Sequence, residues 1–444
     1  MKEPLDQVEL GIIGEVLRKK RKSMRKRMRD LADEFVSTAT ISNIERGLPI
    51  VNPAKILHYA KKLGIGPDEL PAIVRRYNQG DDEREAELMS ILSNIDLGDA
   101  REGLARLQAL DIPASSPQHL MKQFLMGKHF FNQGKWSKAQ TYFSEVLRSV
   151  DKYPSLRRSN LKAYCCYDLG RVFYYKNDLT NALGYNQLGI DAYVRDCDKN
   201  RSQIIHSLKV AKAIYLEKLE RLDEALQALD ELWEHIADIR SVQVLLNIYE
   251  TKADILTRKK RYDEAIEIAW EGIEIARINL AYERAHDLWT TLGSVYLQKK
   301  AYEKAEYCIR TALSMRKRVN GEFLLVKAYT LWGMLCMRTE RWEEALTALQ
   351  TAVQLGEKTN DARRHVMALI VLGDWYQLQG RYEEAVSPLQ KAHELATEHQ
   401  FLKQRHITLV ELSKCWKRLN RGEFINSLEN LFEVELQFSQ DRTI

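Results

Sequence analysis

The 444-residue sequence contains few prolines and glycines and no apolar run long enough to cross a membrane. Nine prolines and 21 glycines are too few for the many tight turns of an all-β protein. The longest apolar candidate, residues 324–337, is interrupted by Lys327, whereas a membrane span needs about 18 uncharged apolar residues. Residues 1–10 are charged and have no apolar centre, so we expect no signal peptide. These absences predict an all-α, cytoplasmic protein.

Sequence patterns of catalytic and metal sites are also missing. The six cysteines form no C-x-x-C pair and show no zinc spacing, so we expect buried thiols in a reducing compartment. The ten histidines are scattered, and neither H-E-x-x-H nor G-x-S-x-G occurs. Residues 356–359, Gly-Glu-Lys-Thr, lack the upstream glycine and the preceding strand of a phosphate-binding loop. We therefore expect a protein that is not an enzyme and that has no cofactor and no metal ion.

Positive charge is concentrated at the amino-terminal end of the chain. Residues 1–29 contain ten basic and four acidic side chains, a larger positive balance than the +5 of the whole chain. Such an asymmetry is typical of a protein with a polyanionic partner. The basic run at residues 18–27 is, on its own, equally compatible with a solvated helix end. Its neighbours along the chain must therefore decide between these interpretations.

Most of the chain is an internal repeat. Small residues recur every 43 or 40 positions, and an alanine follows each of them after 12 residues. This pattern is typical of tetratricopeptide-like helix pairs, in which small residues allow close helix approach. We expect seven to nine such pairs, with either helices longer by about a turn than usual or looser loops, and a polar cap near residues 408–432. The small residues are Gly127, Gly170, Ala213, Ala253, Gly293, Gly333 and Gly373, and the alanines are Ala139, Ala182, Ala225, Ala265, Ala305, Ala345 and Ala385.

Residues 31–47 predict a helix-turn-helix. Leu31, Ala32 and Phe35 would form the inner face of a first helix, and Ser37 would cap a second helix. Ile41 and Ile44 would be buried beneath that second helix. Small and amide side chains facing outwards from such a helix suit base edges in the DNA major groove, and an arginine at its end suits a phosphate. The residues expected to face DNA are Ser37, Thr38, Ala39, Thr40, Ser42, Asn43 and Arg46.

This segment resembles the helix-turn-helix of the Cro and phage-repressor (XRE) type. Leu17-Arg18, residues 41–47 and residues 56–65 match its first, recognition and fourth helices. Met28 stands where the family usually has glutamine, and the turn glycine is absent, so the turn is one residue shorter. The first departure leaves phosphate binding to a nearby set of basic residues. That set is Arg25, Lys26, Arg27 and Arg29.

The repeats predict a superhelix whose concave face is formed by the first helix of each pair. Helical geometry places certain positions relative to each small residue on that face. A mixture of tyrosines, amides and charges there suits an extended peptide, although an ordinary polar groove is the alternative for each residue. The candidate peptide-binding residues are Lys128, Tyr164, Tyr167, Arg171, Tyr174, Asn247, Glu250, Asp254, Thr290, Lys327 and Asp374.

The predicted architecture is an all-α chain with a helix-turn-helix domain before a right-handed α-solenoid. We place the helix-turn-helix domain at residues 1–78, a helical linker or half repeat at 79–117, and the sensor repeats with their cap at 118–444. This layout resembles the RRNPP family of peptide-pheromone receptors of Gram-positive bacteria. The resemblance implies a quorum-sensing transcription regulator. It would bind a DNA operator as a homodimer or higher homo-oligomer and respond to a short signalling peptide.

Two other functions stay open at this point. The repeats could instead serve as a protein-interaction scaffold or as an antagonist of a response regulator, with DNA binding secondary. Met28 and the missing turn glycine favour that alternative. A third possibility is a regulator whose repeats recognise another protein or a small metabolite.

Overall fold

The computed structural model describes residues 7–48, 51–66, 69–114, 116–197, 202–319, 321–359 and 361–441, and all secondary structure in these ranges is helical. The chain forms two compact units. The first comprises residues 1–176 and 180–208, and the second comprises residues 177–179 and 209–444. Within the described ranges, no helix is both long and apolar enough to cross a membrane.

The amino-terminal domain consists of three short α-helices and one 3-10 turn around a small apolar core. They are α1 (Gln7–Ser23), the 3-10 helix Met28–Asp30, α2 (Thr38–Glu45) and α3 (Pro53–Lys62). The Ser37 hydroxyl accepts the Thr40 N–H at the start of α2, and the Asn52 side chain accepts the Ala54 N–H at the start of α3. Pro53 occupies the first turn of α3, where its missing N–H costs no helical hydrogen bond.

The predicted first helix of the helix-turn-helix is wrong in its extent. Residues 31–36 are not helical, Leu31 is buried as expected, and Phe35 is 49% exposed while Val36 is fully buried. The Asp33 carboxylate accepts the N–H groups of Phe35 at 2.9 Å and Val36 at 2.7 Å. Such local side-chain bonds compete with helical hydrogen bonds. They give the segment a turn that places Val36, and not Phe35, in the core.

Helix pairs follow in both units. The first unit contains α4 (Glu69–Leu97), α5 (Ala100–Ala109), α6 (Pro117–Asn132), α7 (Trp136–Val150), a 3-10 helix (Pro154–Ser159), α8 (Leu161–Tyr175) and, apart from its first residue, α9 (Leu179–Ala192). Helix α10 (Ile204–Lys218) belongs to the second unit from Lys209 onwards. The second unit continues with α11 (Leu222–Trp233), a 3-10 helix (Ile236–Asp238), α12 (Val242–Arg258), α13 (Tyr262–Ile278), α14 (Tyr282–Gln298), α15 (Tyr302–Ser314), α16 (Glu322–Arg338), α17 (Trp342–Thr359), α18 (Ala362–Leu378), α19 (Tyr382–Glu398), α20 (Leu402–Leu419) and α21 (Arg421–Asp441).

The small residues of the repeat permit close helix approach, as predicted. A β-carbon on Gly333 would lie 2.6 Å from the Leu349 side chain, and one on Gly373 would lie 2.6 Å from Leu389. All seven repeat alanines are fully buried. Most helices from α12 to α19 contain 17 residues, which accounts for a period longer than the usual ~34 residues.

Four turns between paired helices of the second unit, from α10–α11 to α16–α17, share one backbone conformation. Glu220, Lys260, Lys300 and Glu340 have φ between 59° and 64°, a left-handed conformation at equivalent places of four repeats. Charged pairs accompany these turns. The Arg261 guanidinium contacts Glu264 at 2.6 Å within one repeat. Exposed pairs of this kind contribute only about 0–1 kcal/mol each, so close helix packing carries most of the stability.

The carboxy-terminal cap differs from its prediction. We expected a more polar outer face, but α21 exposes an apolar stripe. Its members are spaced three or four residues apart and are between 42% and 64% exposed. They are Ile425, Leu428, Phe432 and Leu436. Apolar residues with helical spacing on both faces of α21 therefore make this cap less polar than the sequence pattern indicated.

The close contact at Gly333 predicts a stability difference between two glycine substitutions. Gly333→Ala should destabilise the protein by about 1–3 kcal/mol, because Leu349 would have to move within a packed core. Gly184→Ala is the matched control, since its β-carbon would meet nothing within 4 Å. It should leave stability unchanged or raise it by up to about 1 kcal/mol. Thermal unfolding of the full chain measures both changes, and equal effects of the two substitutions would contradict the packing account.

Candidate DNA-binding surface and concave groove

Helix α2 presents the predicted recognition residues to solvent. Ile41 and Ile44 are buried in the domain core, which fixes the opposite face outwards. Of the predicted DNA-facing residues, four are exposed and three are half-buried, and all of them lie on the surface of the domain. The exposed ones are Ser37, Thr38, Ala39 and Arg46, and the half-buried ones are Thr40, Ser42 and Asn43. Their contacts with DNA remain predictions.

Asn43 and Arg46 form a pair on this surface. The Arg46 guanidinium donates to Asn43 Oδ1 at 2.6 Å and to the Ser42 carbonyl oxygen at 3.3 Å. The pair holds two long polar side chains in one orientation, which reduces the entropy lost when they contact a partner. Arg46 occupies one of the two acceptor positions of Asn43 Oδ1.

The predicted phosphate-binding residues cluster in the turn between α1 and α2. Arg25, Lys26, Arg27 and Arg29 are all exposed. The Asp30 side chain accepts the Arg27 N–H at 2.8 Å, which orders the 3-10 turn that carries them. Four cations on one short turn next to α2 give this surface a local positive potential, as polyanion binding requires.

Sequence reasoning missed the role of Arg21, which belongs to the basic run but is not available to DNA. Its guanidinium is buried and donates to both carboxylate oxygens of Glu45, at 2.6 and 2.8 Å, and to the Lys26 carbonyl oxygen at 3.0 Å. The Tyr59 hydroxyl donates to the same carboxylate at 2.6 Å. Hydrogen bonding to Glu45 raises the pKa of Arg21, and burial raises the pKa of Tyr59. The network joins α1, α2 and α3, so it fixes the orientation of α2.

The candidate groove residues of the first unit already have partners within the chain. Lys128 lies 3.4 Å from the Asp96 carboxylate, and Arg171 lies 3.2 Å from the buried Asp168 carboxylate. The Arg171 guanidinium also lies 5.5 Å from the centre of the Tyr167 ring. The Tyr164 ring packs against the buried Phe124 ring at 6.2 Å, and Tyr174 contacts the Tyr175 ring at 5.5 Å. Of this set, Tyr164 contributes most clearly to the core.

In the second unit, Lys327 links three successive first helices. Its ammonium lies 2.9 Å from Asp254 of α12 and 3.2 Å from the Thr291 hydroxyl of α14. Arg284 similarly joins Glu250 at 2.9 Å and Asp287 at 3.5 Å. These half-buried ion pairs lie on consecutive repeats and form a mixed-charge surface. Asp287 and Arg284 were not predicted, although Asp287 occupies the same position relative to its small residue as Lys327.

The carboxylates of the second unit differ in their ionisation. Burial would raise the pKa of Asp254, but Lys327 and Lys218 outweigh burial and hold it at about 2. Burial and the neighbouring Asp287 raise the pKa of Glu250. Burial and Glu411 raise the pKa of Asp374 to about 6. At Glu250 and Asp374, nearby cations therefore do not offset the burial of the carboxylate, whereas at Asp254 they do and the carboxylate is ionised.

Another candidate peptide-binding residue, Asn247, is half-buried.

One candidate peptide-binding residue, Thr290, does not lie on an accessible surface. Its side chain is fully buried, and its hydroxyl donates to the His286 carbonyl oxygen at 2.7 Å, so it cannot contact a ligand in this structure. Tyr167 and Glu250 occupy the equivalent position of their repeats and are only half-buried. The difference follows from side-chain length, since this position borders the small residue at the helix contact and only a long side chain reaches beyond it.

Family models match both parts of the chain. A helix-turn-helix model matches residues 17–70, and tetratricopeptide-repeat models match residues 286–318 and 324–398. A comparison with curated protein sequences finds no match. The helix-turn-helix match covers the same α1–α3 region that carries the buried network and the basic turn.

Solved structures share the fold. A Rap protein in complex with competence and sporulation factor is 12% identical, with a TM-score of 0.59 over 81% of this chain and 99% of that one. Apo RapI is 12% identical, with a TM-score of 0.53 over 81% of this chain and 98% of that one. This chain joins a helix-turn-helix to tetratricopeptide repeats whose fold is like that of the Rap proteins. The apo form of the quorum sensor NprR from B. thuringiensis is 14% identical, with a TM-score of 0.49 over 84% of this chain and 99% of that one.

The buried network predicts that Glu45 is required for the stability of this XRE-type domain. Glu45→Ala should destabilise the domain by about 3–5 kcal/mol, because it leaves the Arg21 charge buried without a partner. Replacing both residues, Arg21→Met with Glu45→Leu, should recover most of the loss. Hydrogen exchange of the α2 amides in the full chain measures the local effect, with exposed Glu34→Gln as the control. Unchanged protection in Glu45→Ala would contradict this role.

The raised pKa of Asp374 predicts a pH-dependent stability difference. The folded-state pKa of about 6 lies above the ordinary aspartate pKa of 3.8, so ionisation of Asp374 disfavours the folded state above pH 6. Asp374→Asn should therefore be more stable than the wild type by about 1–3 kcal/mol at pH 7.5. The difference should shrink as the pH falls below 6 and vanish near pH 4. Thermal unfolding across this range, with exposed Asp111→Asn as control, tests the expectation. A pH-independent difference would refute it.

Proposed function

We propose that this protein is a quorum-sensing transcription regulator that binds operator DNA through α2 and is switched by a short signalling peptide in its concave repeat groove. The observation that supports this most is the combination, in one chain, of an XRE-type helix-turn-helix and a Rap-like tetratricopeptide fold. One Rap structure of this fold contains competence and sporulation factor. The basic turn and the outward face of α2 provide the DNA-binding side of the proposal.

The side chains of the repeats suit a peptide ligand. An extended peptide carries an ammonium, a carboxylate and a row of backbone amides, and each needs a partner when it leaves water. The Glu250 and Asp254 carboxylates on α12 and the Lys327 ammonium on α16 are half-buried, and Lys327 reaches Asp254 at 2.9 Å across the intervening repeat. A ligand with charged groups could exchange with these internal ion pairs without leaving a buried charge unpaired.

DNA binding is proposed to involve a homodimer or a higher homo-oligomer. A single small helix-turn-helix buries too little surface on DNA to specify a site, and regulators of this type bind two half-sites. The partners are therefore a duplex operator, a short peptide and further copies of the same chain.

A second candidate function is a protein-interaction regulator that antagonises a response regulator. The non-helical conformation of residues 31–36 favours it, because it leaves the helix-turn-helix without the first helix that the sequence predicts. In that case the repeats bind a protein and DNA binding is secondary. Retention of a response regulator in a pull-down, with no shift of any duplex at low salt, would select this candidate.

The DNA-binding proposal predicts distinct effects for two classes of substitution. Duplexes selected by the protein from a randomised pool serve as the probe. Asn43→Ala should weaken binding of the protein to the selected duplex by about 1–3 kcal/mol and relax the sequence preference of the protein. Arg27→Gln should weaken binding to all duplexes by a similar factor. It should also reduce the salt dependence of the affinity by the amount expected for about one phosphate contact. Fluorescence anisotropy at several salt concentrations measures both effects.

The control for these substitutions is Lys317→Gln, which removes an exposed cation from the repeats. It should leave affinity and salt dependence unchanged. If the wild-type protein binds selected and random duplexes equally at every salt concentration, the proposed transcription function is wrong. Native mass spectrometry of the protein purified from its own organism provides the matching test for a bound peptide.

A further inference from the structure

Phe35 is an apolar side chain that the fold places on the surface beside the recognition helix. Its ring is 49% exposed, although its neighbour Val36 is fully buried. It precedes the α2 cap, Ser37, by two residues. Burial of a phenylalanine ring stabilises a folded domain, so this domain forgoes part of that stabilisation by keeping the ring outside its core. The sequence pattern predicts Phe35 on the inner face of a helix, and the proposed function gives it no role.

The exposed ring is held in a defined position. The Asp33 carboxylate accepts the Phe35 N–H at 2.9 Å and also contacts the His58 ring nitrogen at 2.7 Å. The Phe35 and His58 rings meet edge to face with 5.1 Å between their centres. Lys62 and His58 hold the pKa of Asp33 well below its usual range, so this turn persists at all physiological pH values. A fixed ring loses little entropy when it contacts a partner.

The surroundings of the ring match those of a DNA-contacting residue. The Lys55 ammonium lies 5.9 Å from the centre of the ring, and Ser37 and Thr38 at the start of α2 are exposed beside it along the chain. In helix-turn-helix proteins the amino-terminal residues of the recognition helix enter the major groove. A phenyl ring offers no hydrogen bond to a phosphate or a base edge. The apolar group that the major groove does offer is the 5-methyl group of thymine.

We propose that Phe35 is a specificity-determining residue that packs against a thymine 5-methyl group at the edge of the α2 binding site. The inference depends on the proposed DNA-binding function and extends it to a residue outside α2. It assigns to this protein a preference for thymine, at one position of each half-site, that arises from apolar contact and not from hydrogen bonding.

Replacement of thymine by uracil tests this contact, since uracil lacks only the methyl group. The probe is a duplex selected by the wild-type protein from a randomised pool, in which each thymine is replaced in turn by uracil. Uracil at one position per half-site should weaken binding by the wild-type protein about fourfold, which is the effect of losing one buried methyl group. Phe35→Ala should weaken binding to the thymine-containing duplex by at least the same factor. Uracil at that position should then cause no further loss of affinity in Phe35→Ala.

The control variant is Leu57→Ala, which removes another exposed apolar side chain of the same domain. It should keep the wild-type response to uracil at every position. Because Phe35 is half exposed, thermal unfolding of Phe35→Ala should remain close to that of the wild type. Phe35→Leu keeps an apolar side chain and should retain part of the methyl response, which separates loss of contact from loss of fold.

Each other outcome has a defined meaning. If Phe35→Ala responds to uracil as the wild type does, the inference is wrong, while the proposed function stands. If Phe35→Ala lowers binding equally at all positions and changes the oligomeric state in sedimentation, the ring contacts another copy of the chain and the inference is again wrong. If the wild-type protein selects no duplex at all, the proposed function itself fails.

Discussion

The orientation of α2 depends on one buried carboxylate, that of Glu45. Glu45 lies four residues after the buried Ile41, on the same face of α2, and therefore points into the domain. An isolated charge there would be strongly disfavoured. Arg21 of α1 and Tyr59 of α3 donate hydrogen bonds to the Glu45 carboxylate. Arg21 also binds the Lys26 carbonyl oxygen, so the same network fixes the basic turn. The proposed base-contacting and phosphate-contacting residues are thus held in one geometry by a single buried charge.

The repeats of the second unit apply the same physical rule with less burial. Lys327 and Asp254 are half-buried and neutralise each other across three helices, and Arg284 serves Glu250 and Asp287. An ion pair of this kind is expensive to break by removing one partner but can be exchanged for an equivalent partner on a ligand. Under the proposed function, a ligand that replaces one of these partners changes the bonds that link consecutive repeats. Binding and helix arrangement would then be coupled through the same side chains.

The repeat architecture could be predicted from the sequence because its cause is local and recurs. The spacing of Gly333 and Ala345, repeated seven times, reports close helix packing directly. The buried role of Arg21 could not be predicted, because its partner Glu45 is 24 residues away and the surrounding basic run suggested an exposed surface. Phe35 was misplaced because one hydrogen-bonding side chain, Asp33, replaces a helical turn. Thr290 and Glu250 occupy equivalent positions of their repeats. The short Thr290 side chain is buried and the longer Glu250 side chain is accessible, a difference that the repeat pattern does not show.

The central claim is that one chain couples a DNA-binding surface to a ligand-binding groove. The most direct measurement is the Kd of the protein for its selected duplex with and without the peptide that co-purifies from its own organism, together with the Kd for that peptide with and without the duplex. The account predicts a change of about fivefold or more in each Kd, by the same factor in both, because coupling free energies are reciprocal. Independent binding, with both Kd values unchanged, would contradict it.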